Sequence, residues 1–121
     1  MDLNNINVNS FASVIIKPNE IVRVVAPSLW VITSVSLVID EEIPSEGRVV
    51  LYAAPVNSDG SYGQKIAIAP LRIGTCEVVS VDYEINSTSP MAFSTTGSAI
   101  AVSINGHTTT PAPLEVESLS K

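Results

Sequence analysis

Charge is scarce in this sequence: Asp, Glu, Lys and Arg make up 15% of its 121 residues, against a usual share of about a quarter. Apolar residues make up 45%. Disordered chains show the opposite balance, so disorder is excluded for the bulk of the chain. The single cysteine, Cys76, excludes an internal disulfide and a cysteine-based zinc site. In its apolar setting it reads as a small buried hydrophobe, and the shortage of cysteine favours an intracellular compartment. The single histidine, His107, cannot hold zinc alone, because zinc takes three or four ligands. Long apolar runs are also missing, and none approaches the ~20 residues of a membrane-spanning helix. The opening Met1-Asp2-Leu3-Asn4-Asn5 lacks the positive start and apolar follow-on of a signal peptide. The sequon Asn86-Ser87-Thr88 therefore reads as a chance match.

Catalytic motifs are absent too. Serines are plentiful, but none sits in a nucleophile elbow, and His107 has no nucleophile and orienting acid beside it in the sequence. Asp82 and Glu84 alternate with Val81, Tyr83 and Ile85 and would share a face. Without a cleft they read as a solvent-facing edge and not as an acid–base pair. No enzymatic site, metal or cofactor is expected.

What is present is acid and aliphatic surface. Twelve acidic residues against six basic ones give a net charge of −6. Such a shell repels phosphate, so direct nucleic-acid binding is not expected; Trp30 and Tyr52 lack the basic groove that base stacking needs. The same charge steers basic partners toward the surface. Mean hydropathy is +0.35, high for a chain this short. Either the core is amply supplied or a partner covers part of the surface.

Length allows one domain, and the chain reads as strands throughout. Eight prolines punctuate it, and no proline-free window carries helical apolar spacing over a useful length. Eight strands are expected: 11–16, 20–25, 29–38, 47–54, 64–69, 75–85, 89–94 and 99–104. The joints carry turn chemistry, as in Lys17-Pro18-Asn19, Pro44-Ser45-Glu46-Gly47 and Asn57-Ser58-Asp59-Gly60. This spacing points to an all-β sandwich, jelly roll or barrel.

Alternation assigns faces. In the third strand Leu29, Val31, Val35, Leu37 and Ile39 share one face, with Thr33 among them, and Trp30, Ile32, Ser34, Ser36 and Val38 the other. In the fourth, Val49, Leu51 and Ala53 oppose Val50, Tyr52 and Ala54. Near the end, Ile100, Val102 and Ile104 oppose Ala99, Ala101 and Ser103. One face is bulky and aliphatic, as a sandwich interior requires. The other is too weakly polar for a solvated face and is expected to pack against neighbouring copies. Trp30, Ile32 and Tyr52 are the expected subunit contacts. Residues 1–10 read as an N-terminal arm, 11–107 as the core, and 108–121, with Pro111 and Pro113, as a flexible tail or linker.

Several stretches, taken in order, resemble the nucleoplasmin-like core domain family. Phe11-Ala12-Ser13-Val14-Ile15-Ile16-Lys17-Pro18-Asn19-Glu20 is similar to the family's opening strand and its Lys-Pro-Gly turn. Ser34-Val35-Ser36-Leu37, followed by acid, is similar to its Val-Ser-Leu strand and first acidic tract. Lys65-Ile66-Ala67-Ile68-Ala69-Pro70-Leu71-Arg72 resembles the strand that ends in Ala-Thr-Leu-Lys. Residues 96–107, from Thr96-Gly97-Ser98 to Asn105-Gly106-His107, resemble the closing strand and its Ser-Gly-x-His end. The resemblance implies an eight-stranded jelly roll, a ring-shaped homopentamer that can pair into a decamer, a nuclear location, and a histone chaperone that shields core histones without catalysis.

The sequence departs from that pattern in its acid. The family's long acidic tracts are missing, and the nearest equivalent is Asp40, Glu41 and Glu42 with Glu46 beyond them. These four are the expected histone-binding loop. The closing Gly-Pro pair is replaced by Ala99-Ile100. Two other readings stand beside the chaperone: a structural shell or scaffold jelly roll, and the oligomerisation domain of a longer nuclear prolyl isomerase.

Overall fold

The structure, a computed structural model, describes residues 10–27, 29–39, 46–108 and 114–120. Nine strands run through them: β1 (Ser10–Ile16), β2 (Glu20–Val25), β3 (Trp30–Leu37), β4 (Arg48–Pro55), β5 (Ile66–Arg72), β6 (Val78–Ile85), β7 (Met91–Gly97), β8 (Val102–Thr108) and β9 (Glu115–Ser120). One sheet has the order β1-β8-β3-β6 and the other β5-β4-β7-β2-β9. All pairings are antiparallel. Only the β4–β5 connection stays within a sheet; every other one crosses to the opposite sheet, which is jelly-roll connectivity. The turn after β1 places Asn19 at φ 62°, a left-handed conformation that Asn tolerates better than most residues other than glycine. Pro70 sits inside β5, which is tolerable because β5 is an edge strand.

The interior lies between the sheets. Val49, Leu51 and Ala53 of β4 point into it, as do Ile100, Val102 and Ile104 around β8, so alternation assigned those strands correctly. The third strand behaves differently. Its pairing with β6 and β8 shifts register between Ile32 and Ser34. Thr33 is the extra residue against β8; it is exposed, and its hydroxyl donates to the Asn105 carbonyl at 3.5 Å. A bulge of this kind reverses the facing of every residue beyond it. Trp30 and Ile32 therefore point inward together with Val35 and Leu37, and their exposures are 0% and 2%. The expectation that Trp30 and Ile32 touch a neighbouring subunit is corrected: both are enclosed by their own chain.

Trp30 ties the two sheets together. Its ring meets Phe93 of β7 edge-on, with centroids 6.4 Å apart and planes at 82°, an arrangement that adds about 0.5–1.5 kcal/mol to the area buried. The indole N–H donates to the Ala12 carbonyl at 3.3 Å, so no polar group is stranded there. Gly106 makes room for the bulge. It lies opposite Ile32, and a Cβ on it would come within 2.0 Å of the Val31 carbonyl oxygen and 2.9 Å of the Ile32 Cα.

The expected tail is a strand over part of its length. β9 pairs with β2 from Glu20↔Ser120 to Val25↔Glu115. Pro111 and Pro113 precede it, and the paired residues contain no proline, so the ladder is free to form. Two side-chain links fasten it: Arg23 to Glu117 at 2.7 Å, and the Ser118 hydroxyl donating to Glu20 Oε2. The Lys17 amide donates to the other Glu20 oxygen at 2.9 Å. The Ser118 bond, followed by the Lys17 amide, holds the Glu20 carboxyl below its ordinary range. Cys76 is half-buried in the turn after β5, not deep in the core, and β6 starts at Val78, later than expected.

The close approach at Gly106 makes its Cβ costly. Gly106→Ala should destabilise the fold by about 1–3 kcal/mol, the usual cost of overpacking, read from urea denaturation; an unchanged midpoint would contradict the close approach. Glu20 has a lowered folded-state pKa, so its contribution is present above its ordinary value of 4.5 and fades as pH falls through the folded value. Hydrogen-exchange protection of β9 amides should therefore fall selectively in acid, and Glu20→Gln should remove that pH dependence.

Candidate interaction surfaces

With the interior filled, function falls to the outer faces and loops. The outer face of the first sheet can be read row by row from its register. Phe11, His107, Val31 and Glu84 form one row; Ser13, Asn105, Ser34 and Ser80 the next; Ile15, Ser103, Ser36 and Val78 the third. No Lys or Arg occurs in these four strands, and Asp82 and Glu84 on β6 are their only charges. A central network orders the polar groups. The Ser103 hydroxyl donates to Asn105 Oδ1 at 2.7 Å. Asn105 Nδ2 donates to the Ser36 hydroxyl at 3.2 Å and reaches Ser34 at 3.4 Å. Around it stand Phe11, Ile15 and Val78, exposed by 77%, 52% and 63%. Neutral hydroxyls and apolar groups lose water far more cheaply than charges do, so the face is suited to being covered.

The outer face of the second sheet has a different chemistry. Ala54, Ala92 and Ser94 point outward yet are almost fully buried, set between the larger register neighbours Tyr52, Ile21 and Arg23. Tyr52 is half-buried, and the Lys65 ammonium stands 4.6 Å above its ring centroid, a cation–π contact. The Arg23–Glu117 pair closes the β2–β9 side.

The described acidic residues are spread out. Asp40, Glu41 and Glu42 lie outside the described residues; Glu46 is exposed just ahead of β4. Asp82 and Glu84 are exposed on the edge strand β6. Asp59 accepts bonds from the Ser61 hydroxyl and amide in the β4–β5 turn, which lower its pKa. His107 sits in the outer face between Phe11 and Val31. Among the described residues no three His, Cys, Asp or Glu gather as a metal site. Sequence reasoning missed Phe11, Ile15, Asn105 and Val78 as members of an outer surface. Their signal was available as strands that alternate serine with aliphatics and carry no Lys or Arg.

The likeness to known proteins agrees with this architecture. No curated protein matches the chain significantly. Among solved structures, the chain is similar to the Drosophila NLP core, whose crystal structure bears on pentamer formation and histone binding in that protein. Identity is 24%, the match covers 80% of this chain and 95% of the other, and the TM-score is 0.61. It is also similar to the nucleoplasmin-like N-terminal domain of Drosophila FKBP39, at 17% identity, 87% and 93% coverage, and a TM-score of 0.65. The family model for the nucleoplasmin-like domain matches residues 11–109, which span β1 to β8. The chain belongs to the nucleoplasmin-like domain family.

Proposed function

We propose that this chain is the ring-forming core of a nuclear histone chaperone. The observation that carries the reading is the nucleoplasmin-like match across residues 11–109. Net charge supports it, as does an outer face without Lys or Arg whose only charges lie on β6. A ring uses two different patches on each subunit, one meeting the other on the next copy. The serine-and-asparagine face of β1, β8, β3 and β6 is one such patch, and the region around Tyr52 is the second. Five copies, as in pentamer formation by the Drosophila NLP core, would carry −30 at −6 each. Histones would be drawn to that field, and salt would screen it. Asp40, Glu41, Glu42 and Glu46 form the docking loop in this reading. The likeness to the N-terminal domain of Drosophila FKBP39 supports a second reading, in which the same ring assembles a longer prolyl isomerase whose chemistry lies outside these residues. A shell protein would instead build large assemblies indifferent to histones.

Two measurements test the proposal. Ile15→Lys with Val78→Lys should reduce the particle toward the 12.8 kDa subunit in light scattering while the β-sheet circular dichroism is kept, because a covered unpaired charge is costly; an unchanged mass would move the contact elsewhere. Wild-type protein should bind core histone dimers with an affinity that drops as salt rises. Neutralising Asp40, Glu41, Glu42 and Glu46 to Asn or Gln should weaken binding about tenfold at low salt, about 1.4 kcal/mol. Salt-independent binding, or affinity untouched by the substitutions, would remove the loop from the histone-binding surface.

A further inference from the structure

Cations are rare in this chain, yet two of its six are placed face to face. Arg48 opens β4 and Arg72 closes β5, and the two are direct register partners. The next pair, Val49↔Leu71, points into the core, so both arginines point outward, and both are exposed. Like charges directly across a ladder destabilise it. Two other cations are answered: Arg23 pairs with Glu117, and Lys65 rests on Tyr52. No described carboxylate forms a salt bridge with Arg48 or Arg72.

The pair borders a cleft of about 600 Å³ whose wall includes Thr75, Ser98 and Glu46. Its backbone is tightly tied. The Ile73 amide donates to the Gly47 carbonyl at 3.0 Å, the Ser98 amide to the Arg48 carbonyl at 2.9 Å, and the Arg72 amide to the Cys76 carbonyl at 2.7 Å. Gly97, at φ 109°, allows β7 to lie so close that a Cβ would stand 2.2 Å from the Arg48 carbonyl oxygen. The Ser98 hydroxyl accepts from the Arg48 amide at 3.1 Å, which leaves its own proton free to donate.

We propose that Arg48 and Arg72, with Ser98 and Thr75, form a binding site for a phosphomonoester carried on a protein partner. Each guanidinium presents a fork that matches phosphate oxygens, and a phosphoserine group carries about −1.5 to −2 charges, enough to answer both arginines. A single carboxylate would leave one unanswered. Nucleic acid is disfavoured, because Glu46 stands on the cleft wall, the chain is net −6, and a polyanion needs a stripe of cations and not one pair.

Titration of the intact chain with a short phosphoserine peptide and its serine counterpart, followed by calorimetry, tests the site. Only the phosphopeptide should bind, and inorganic phosphate should compete with it. Arg48→Gln and Arg72→Gln should each weaken binding roughly tenfold, the usual loss for one charge-assisted contact, while Glu46→Gln should strengthen it. Circular dichroism checks that these surface variants stay folded, and Arg72→Lys, which keeps the charge without the fork, should show an intermediate loss. Equal binding of both peptides, no binding, or wild-type affinity in the arginine variants would overturn the proposal. Tighter binding of a single-stranded oligonucleotide than of the phosphopeptide would overturn it in favour of a nucleic-acid contact.

Discussion

The structure depends on closing two sheets over one tryptophan. Trp30 is the largest side chain in the interior, it is fully enclosed, and it reaches from β3 to Phe93 on the opposite sheet. It can do so only because β3 bulges after Ile32 and because Gly106 offers no Cβ where the strand crowds in. A straight β3 would place Trp30 and Val35 on opposite faces, and the core would lose one or the other. Aromatic burial, bulge and glycine are therefore one device.

That closure decides what is left for partners. Once the bulky aliphatics are inside, the outside of the β1-β8-β3-β6 sheet keeps serine, asparagine and a few exposed apolar groups, with charge confined to β6. The other sheet keeps the chain's arginines, at 23, 48 and 72, and the carboxylates of β9. One outer face can be dehydrated at low cost, while the other holds the Arg23–Glu117 ion pair and a cleft. The two outer faces are therefore chemically distinct, as the two patches of the proposed ring must be.

Much of the fold was legible. Alternation of valine and isoleucine, punctuated by proline and Asn- or Gly-containing turns, located eight of the strands and the facing of β4 and β8. The bulge was not legible, because Thr33 reads as one polar residue within an apolar row, while the extra residue reverses the facing of everything beyond it. Val31 consequently holds the outer position, beside Ser34 and Ser36, that unbroken alternation gives to Trp30 and Ile32. β9 was missed for another reason. Its residues Glu115 and Glu117 look like tail chemistry, whereas the ladder to β2 is fastened by Arg23 to Glu117 and by the Ser118 hydroxyl to Glu20. The acidic loop was visible as composition. The facing of Arg48 and Arg72 was invisible, since it depends on the β4–β5 register, which itself shifts between Leu51 and Tyr52.

Trp30 is the only tryptophan, so its fluorescence reports directly on whether the core is complete within one chain. Its emission should be recorded across dilution alongside particle mass. A core closed by one chain alone requires a blue-shifted maximum that stays fixed as assemblies come apart into subunits. A red shift that tracks dissociation would mean that a neighbouring copy, and not the chain's own second sheet, encloses Trp30.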